Sequence, residues 1–152
     1  MRDHKGEISL PGGRSENSDR SMLDTALRET YEEIGISPKD IELFGELDDF
    51  STLSKYIISP FVGAISYPYE FLINKREVDE IIEVPISILT NELYFRHEAR
   101  LLNGSLEFRM AFGYEGHFIW GATAVVLERF LEIISQAGYP WKNNLLPINK
   151  TL

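Results

Sequence analysis

Residues Gly6 to Ile36 read GEISLPGGRSENSDRSMLDTALRETYEEIGI, and the organisation of the whole chain follows from this stretch. It predicts a strand over Glu7 to Leu10, a tight loop at Pro11-Gly12-Gly13, and then a helix. Ser21 is the expected N-cap, with Asp24 three residues on in a capping-box arrangement. Gly35 supplies the stop. Leu23, Ala26, Leu27, Tyr31 and Ile34 recur at helical spacing as a stripe for the core, with Thr30 on the same side. At about 100° per residue, Glu29, Glu32 and Glu33 fall on the opposite side, with Arg28 beside Glu32.

Three carboxylates on one helix face repel one another, and near a helix C-terminus the macrodipole adds to the cost. An acidic face of this kind is ordinarily a solvated surface. The loop before the helix argues otherwise, because Gly12 and Gly13 let backbone approach a ligand closely and a turn carbonyl can add an oxygen ligand. Oxygen donors on a rigid helix suit Mg²⁺ or Mn²⁺.

These residues resemble the box of the Nudix hydrolases, whose pattern is Gly, five residues, Glu, seven residues, then Arg-Glu-U-x-Glu-Glu-x-Gly-U with U aliphatic. Gly13, Arg28, Glu29, Glu32, Glu33, Gly35 and Ile36 fit. One extra residue lies between Gly13 and Arg28, Asp19 stands where Glu is expected, and Thr30 fills an aliphatic slot. The longer spacing is similar to the coenzyme A pyrophosphatase branch, which carries Arg-x3-Gly-x3-Phe-Pro-Gly-Gly before the box. Arg2, Gly6, Leu10, Pro11, Gly12 and Gly13 stand in that register, with Leu10 for Phe. IELFGELDD, SPFVGAI and IWGATAVVLERFLEII resemble later segments of that branch, with Lys55-Tyr56 departing from its usual Gly-Phe.

The resemblance implies an α/β Nudix fold, a mixed β-sheet sandwiched between helices, in one domain over residues 1–152 with a C-terminal tail from about 137. It implies metal ligation by Glu29, Glu32, Glu33 and the Gly12 carbonyl, with Mg²⁺ or Mn²⁺ as cofactor. Arg28, Glu29, Glu33 and Glu77 are the implied catalytic residues, Arg28 by orienting a box carboxylate. Glu77 enters as the further glutamate that Nudix enzymes add from outside the box, with Glu80 second. Arg2 and Gly13 are the implied substrate contacts, with His4 and Lys5 beside Arg2. The implied reaction cleaves coenzyme A or its acyl derivatives to 4′-phosphopantetheine and adenosine 3′,5′-bisphosphate. The alternatives are hydrolysis of another nucleoside diphosphate derivative, such as ADP-ribose or a dinucleotide, and a catalytically silent binding module.

With 152 residues, 43% hydrophobic and 26% charged, the chain suits one soluble globular domain. Fifteen basic against twenty-four acidic residues, a net charge of −9, disfavour polymeric nucleic acid as a partner. A small anionic nucleotide must then be met locally. The absence of cysteine excludes disulfides, thiolate metal sites and cysteine nucleophiles. No apolar run approaches the roughly 18 residues of a membrane span, and no targeting signal stands at either end, so a cytoplasmic location away from membrane is expected.

Beyond the box, Ser37-Pro38 makes a stop and Ile41 to Leu47 reads as a strand. Lys55 to Ile65 reads as another, broken at Pro60. Short strands are expected at Phe71 to Ile73 and from Glu77 to Pro85, and a short helix or turn after Pro85. Phe95 to Asn103 carries no clear period. Glu107 to Tyr114 and His117 to Trp120 form a hairpin around Glu115-Gly116. Ala122 to Gln136 is an amphipathic helix on Val125, Val126, Phe130, Leu131 and Ile134, ended by Gly138 and expected to pack on the sheet. His4, His97 and His117 are scattered without metal spacing. The coenzyme A branch places a first strand before the position of Arg2. The sheet edge it would cover predicts either a natural start upstream of Met1 or a homodimer.

Overall fold

The computed structural model describes residues 7–52, 54–102 and 104–138, with backbone alone at 100, 102 and 107. The described residues gather into two compact units, one of Ser9–Glu83 and the other of Glu7 and Ile8 together with those from Val84 onward.

The first unit opens with the diglycine loop and helix α1, Met22–Ile34. Ser21 is extended, and its hydroxyl accepts from the Asp24 N–H at 3.1 Å. Gly35 takes the left-handed conformation, φ 76°, and donates to the Tyr31 carbonyl at 3.0 Å. A Cβ there would stand 2.5 Å from Leu72 Cβ, so both conformation and crowding demand glycine. Along α1 the buried residues are Thr25 and Ile34; Tyr31, expected inside, is 57% exposed.

The segment after the strands docks on this helix end. Leu72 N–H donates to the Ile34 carbonyl at 3.0 Å and Asn74 N–H to the Glu33 carbonyl at 2.9 Å, satisfying acceptors that every helix leaves open at its C-terminus. The strand expected at Phe71 to Ile73 is therefore absent, since amides a ladder would use serve the helix instead. Asn74 then starts a turn, its carbonyl accepting from Glu77 N–H at 3.0 Å and Val78 N–H at 2.9 Å. That turn displaces the strand expected from Glu77.

Between these parts, a 3-10 turn at Pro38–Asp40 is tied down by Tyr69, whose hydroxyl donates to Asp40 Oδ2 at 2.9 Å and accepts from Ser37 N–H at 3.3 Å. Strands β1, Glu42–Glu46, and β2, Phe50–Ser51, run out; β3, Ile57–Ile58, and β4, Phe61–Ala64, run back. They pair antiparallel, Glu42 opposite Ala64 and Phe50 opposite Ile58. Pro60 has no N–H, so the return strand divides there as its position predicts, though its carbonyl still accepts from Leu47 N–H at 2.9 Å. Lys55, with φ 63°, turns the tip of the ribbon.

The second unit contains α2, Ile86–Leu89, strands β5, Phe95–Leu102, β6, Ser105–Tyr114, and β7, His117–Ile119, and helix α3, Gly121–Gln136. Sheet order is β5-β6-β7, with Phe95 opposite Phe112 and Tyr114 opposite His117. Glu115 and Gly116 both have positive φ, as a two-residue turn matched to strand twist requires. Phe95 to Asn103, left open by the sequence, is thus largely β5. Phe112 and Leu131 are fully buried in a cluster with Leu89, Met110, Ile119 and Ala124. Each such large side chain contributes about 1.5–3 kcal/mol of burial. Leu127 and Ile134 extend the α3 face at helical spacing.

Glu7 to Leu10, expected as a strand, has none. Ile8 instead packs on the cluster, and its carbonyl accepts from Thr123 Oγ1 at 2.9 Å. The expected α/β make-up is present, and every strand pairing among the described residues is antiparallel where a mixed sheet is expected, β1 with β4, β2 with β3, and β6 between β5 and β7.

Candidate active site

The site is built on α1 and the loop before it, and its organiser is Arg28. Nε and Nη2 donate to the two oxygens of Asp19, each at 3.0 Å. Nη2 also donates to the Arg14 carbonyl, and Nη1 to Glu29 Oε1 and Glu32 Oε2, all at 3.1 Å. A guanidinium has five N–H groups, and these five bonds engage all three nitrogens. Arg28 therefore fixes the loop and two helix carboxylates in one frame and has no donor to spare for a ligand.

Asp19 is the anchor of that frame. Its side chain is 4% exposed, and it accepts further bonds from Thr25 Oγ1 and Glu16 N–H, each at 2.9 Å. Arg28 foremost, then the Glu16 amide, hold its carboxyl far below the usual range, while Asp19 in turn raises the Arg28 guanidinium. The shorter acid, read from sequence as a departure from the box, thus accepts bidentately from the box arginine. The extra residue before Arg28 accompanies that shorter reach.

Glu29 and Glu33 close around the diglycine loop. Gly12 N–H donates to Glu33 Oε2 at 3.2 Å. A Cβ added to Gly13 would fall 2.1 Å from Glu29 Oε1, so the carboxylate occupies the space that only glycine leaves. Burial, then the charges of Glu29, Glu77 and Glu32, push the Glu33 carboxyl above its ordinary value, against the pull of the Gly12 amide. The Asn74 turn carries the chain to Glu77, the charge of which is felt at Glu33. Glu80 follows the turn. Arg2, His4 and Lys5 lie outside the described residues, as does much of the tail from 137; His97 and His117 belong to β5 and β7.

Among the described residues, no three His, Asp or Glu side chains already stand in a ligand set for a metal ion. The donors nonetheless fit a hard cation. Each of Glu29, Glu32 and Glu33 spends one oxygen on Arg28 or Gly12, and among the described residues its other oxygen accepts no bond. Burial first, and then the neighbouring carboxylate charges, disfavour the ionised Glu33, and a cation there would relieve that cost.

Of two further side chains near the loop, Tyr56 was marked in the sequence only by the Lys55-Tyr56 departure from Gly-Phe, and Arg14 by nothing. Arg14 follows the diglycine directly, with its guanidinium 4.8 Å from the centre of the Tyr56 ring and bonded to the Tyr56 hydroxyl.

The NUDIX domain pattern matches residues 1–100 of this chain. A protein of Pectobacterium atrosepticum described as an uncharacterized Nudix hydrolase, NudL, is 31% identical over 138 residues, covering 89% of this chain and 70% of the relative. The protein of the same description from Yersinia pestis is 31% identical over 137 residues, covering 89% and 68%. Among the described residues no helix is long and apolar enough to cross a membrane.

Proposed function

The chain belongs to the Nudix family, hydrolases that act on phosphoanhydride bonds of small molecules, and from that premise we propose that it cleaves coenzyme A or an acyl-coenzyme A at its diphosphate. The observation that carries the reading is the Arg28 frame beside the diglycine loop, in which Nη1 holds Glu29 and Glu32 while Gly12 N–H donates to Glu33 Oε2 at 3.2 Å. The coenzyme A assignment rests on the Arg2 to Gly13 register and the longer spacing to Arg28.

Glu29, Glu32, Glu33 and the Gly12 carbonyl would hold Mg²⁺ or Mn²⁺. When bound, the ion supplies neutralisation of the diphosphate oxygens and activation of water. One of the cluster carboxylates, or Glu77, accepts the proton of the attacking water. Arg28, with every nitrogen engaged, keeps Glu29 and Glu32 in register and is a positioning residue. Gly13 contacts the substrate through its main chain, its side-chain side being filled by Glu29, and Arg2 reads the 3′-phosphate. Arg2→Ala should then raise KM for coenzyme A more than for dephospho-coenzyme A, and equal effects would place Arg2 elsewhere.

The match over residues 1–100 runs through both compact units, which supports one Nudix domain over 1–152. A homodimer belongs to the same proposal and is checked by light scattering at several concentrations. The activity is tested by product analysis over coenzyme A, ADP-ribose, dinucleotides and nucleoside triphosphates, with Mg²⁺ and with Mn²⁺. Release of 4′-phosphopantetheine and adenosine 3′,5′-bisphosphate at the highest kcat/KM is expected. A higher value for ADP-ribose or a dinucleotide would replace the substrate, and no turnover of any would leave a binding module.

A further inference from the structure

Arg14 is a cation in an unusual setting. Its main chain is fixed at the carboxylate cluster, because its carbonyl accepts from the same Arg28 whose other nitrogen holds Glu29 and Glu32. Its side chain pairs with no carboxylate among the described residues, in a chain whose acidic residues outnumber basic ones twenty-four to fifteen. It lies over the ring of Tyr56 and bonds its hydroxyl.

An aromatic ring and a hydroxyl restrain a guanidinium without cancelling its charge, as a carboxylate would. One N–H is spent on Tyr56, and the fork that remains has the spacing of two phosphate oxygens. Tyr56 is itself placed by backbone. Lys55 in the left-handed region turns the ribbon tip, Lys55 N–H donates to the Thr52 carbonyl at 2.9 Å, and Thr52 N–H to the Tyr56 carbonyl at 2.8 Å. Tyr56 N–H closes the turn on Thr52 Oγ1 at 3.1 Å. The restraint is thus built from two separate loops meeting over one charge.

We propose that Arg14, held by Tyr56, binds nonbridging oxygens of the substrate diphosphate. Resting on the hydrolase reading above, it adds the protein cation that faces the anion beside a carboxylate-rich wall. A diphosphate carries charge on both phosphorus centres, and a fixed guanidinium beside the diglycine loop can meet the oxygens that the carboxylate side repels.

The test is calorimetric binding of α,β-methylene-ADP, whose P–C–P link resists hydrolysis, with AMP as the single-phosphate comparison, both in Mg²⁺. Arg14→Gln should weaken the methylene analogue by about ten- to a hundredfold and AMP by less. Tyr56→Ala should do nearly as much, Tyr56→Phe less, and the double variant no more than Arg14→Gln alone. The Arg14 carbonyl survives each change, so melting temperatures should stay near wild type, and turnover should show a raised KM with kcat nearly held. Wild-type affinity in Arg14→Gln overturns the proposal, and additive effects overturn the Tyr56 restraint. Should the wild type hydrolyse no diphosphate, the hydrolase reading falls while Arg14-dependent binding of the analogue still stands. Should it hydrolyse one and Arg14→Gln do so with unchanged KM and analogue affinity, Arg14 alone is misassigned.

Discussion

Gly13→Ala separates the site from the fold. The added Cβ would stand 2.1 Å from Glu29 Oε1, 2.4 Å from Cδ and 2.9 Å from Oε2, where ordinary contact begins at 3.4 Å. Oε1 must therefore retreat by at least 1.3 Å, the difference between 3.4 and 2.1. Glu29 is the end of a flexible side chain, so the carboxylate moves and the backbone stays. The fold loses the Arg28 to Glu29 pair, worth about 0.5–1 kcal/mol, and regains a similar amount because alanine restricts the unfolded chain. Melting should shift by no more than about 3 °C. Catalysis is less forgiving: displacing a positioned group by about 1 Å costs on the order of a hundredfold, ~2.7 kcal/mol. The assay is kcat/KM for coenzyme A in Mg²⁺ beside a thermal melt. Gly113→Ala, whose Cβ would meet nothing closer than 3.9 Å, serves as control. Adding Glu29→Asp, one methylene shorter, should restore part of the loss. Wild-type turnover in Gly13→Ala would refute the reasoning, as would a loss of activity matched by a loss of folded protein.

Glu33→Gln should keep the fold and lower turnover about a thousandfold, ~4 kcal/mol, and wild-type-like activity would remove the cluster from the mechanism. Mg²⁺ at a hundred times its dissociation constant should stabilise by about 2.7 kcal/mol, raising the melting temperature by about 5–10 °C, reversed by chelator. Melting indifferent to both would count against a cation among these carboxylates. Asp19 is held below the usual range by Arg28, so the stability it adds is complete above about pH 4 and is lost as pH falls toward its folded value. Asp19→Asn should lower melting at pH 7 and flatten its decline in acid, whereas parallel acid limbs would mean that Asp19 is not the titrating anchor.

Helix α1 was legible because its signals are local: a serine cap, a glycine stop and carboxylates at fixed angles depend on neighbours four residues away or fewer. The ribbon break at Pro60 was legible for the same reason, a missing N–H. What failed were segments whose state depends on distant partners. Ile8 and Phe71 to Ile73 are rich in β-formers but find a threonine hydroxyl and a helix terminus where a ladder was expected. In β5 the charges at 96, 98 and 100 do alternate with Phe95, His97 and Ala99, but a histidine on the second face and the run Leu101-Leu102 blur the period, and the register with β6 resolves it as a strand. At the site, the sequence offered Arg28, Glu29, Glu32 and Glu33 by periodicity. It hid the bonds of Arg14 to Tyr56, 42 positions apart, because nothing local links an arginine after a turn to a tyrosine at a hairpin tip.

The stitching of residues 72 and 74 onto the end of α1 bears on how this protein can drift over time. Both bonds run from main-chain N–H to main-chain carbonyl, and the turn that follows is closed on the Asn74 carbonyl. The course of the chain to Glu77 is thereby set largely in backbone, with Asn74 Oδ1 accepting from Arg76 N–H at 3.2 Å and Lys75 Nζ donating to the Asp79 carbonyl at 2.8 Å beside it. Selection acting on that geometry would see Gly35, Leu72, Asn74 and the glutamate before the letters between them. Such a segment can change some of its letters while its message persists, so a glutamate reached this way is harder to find by sequence than the carboxylates of α1.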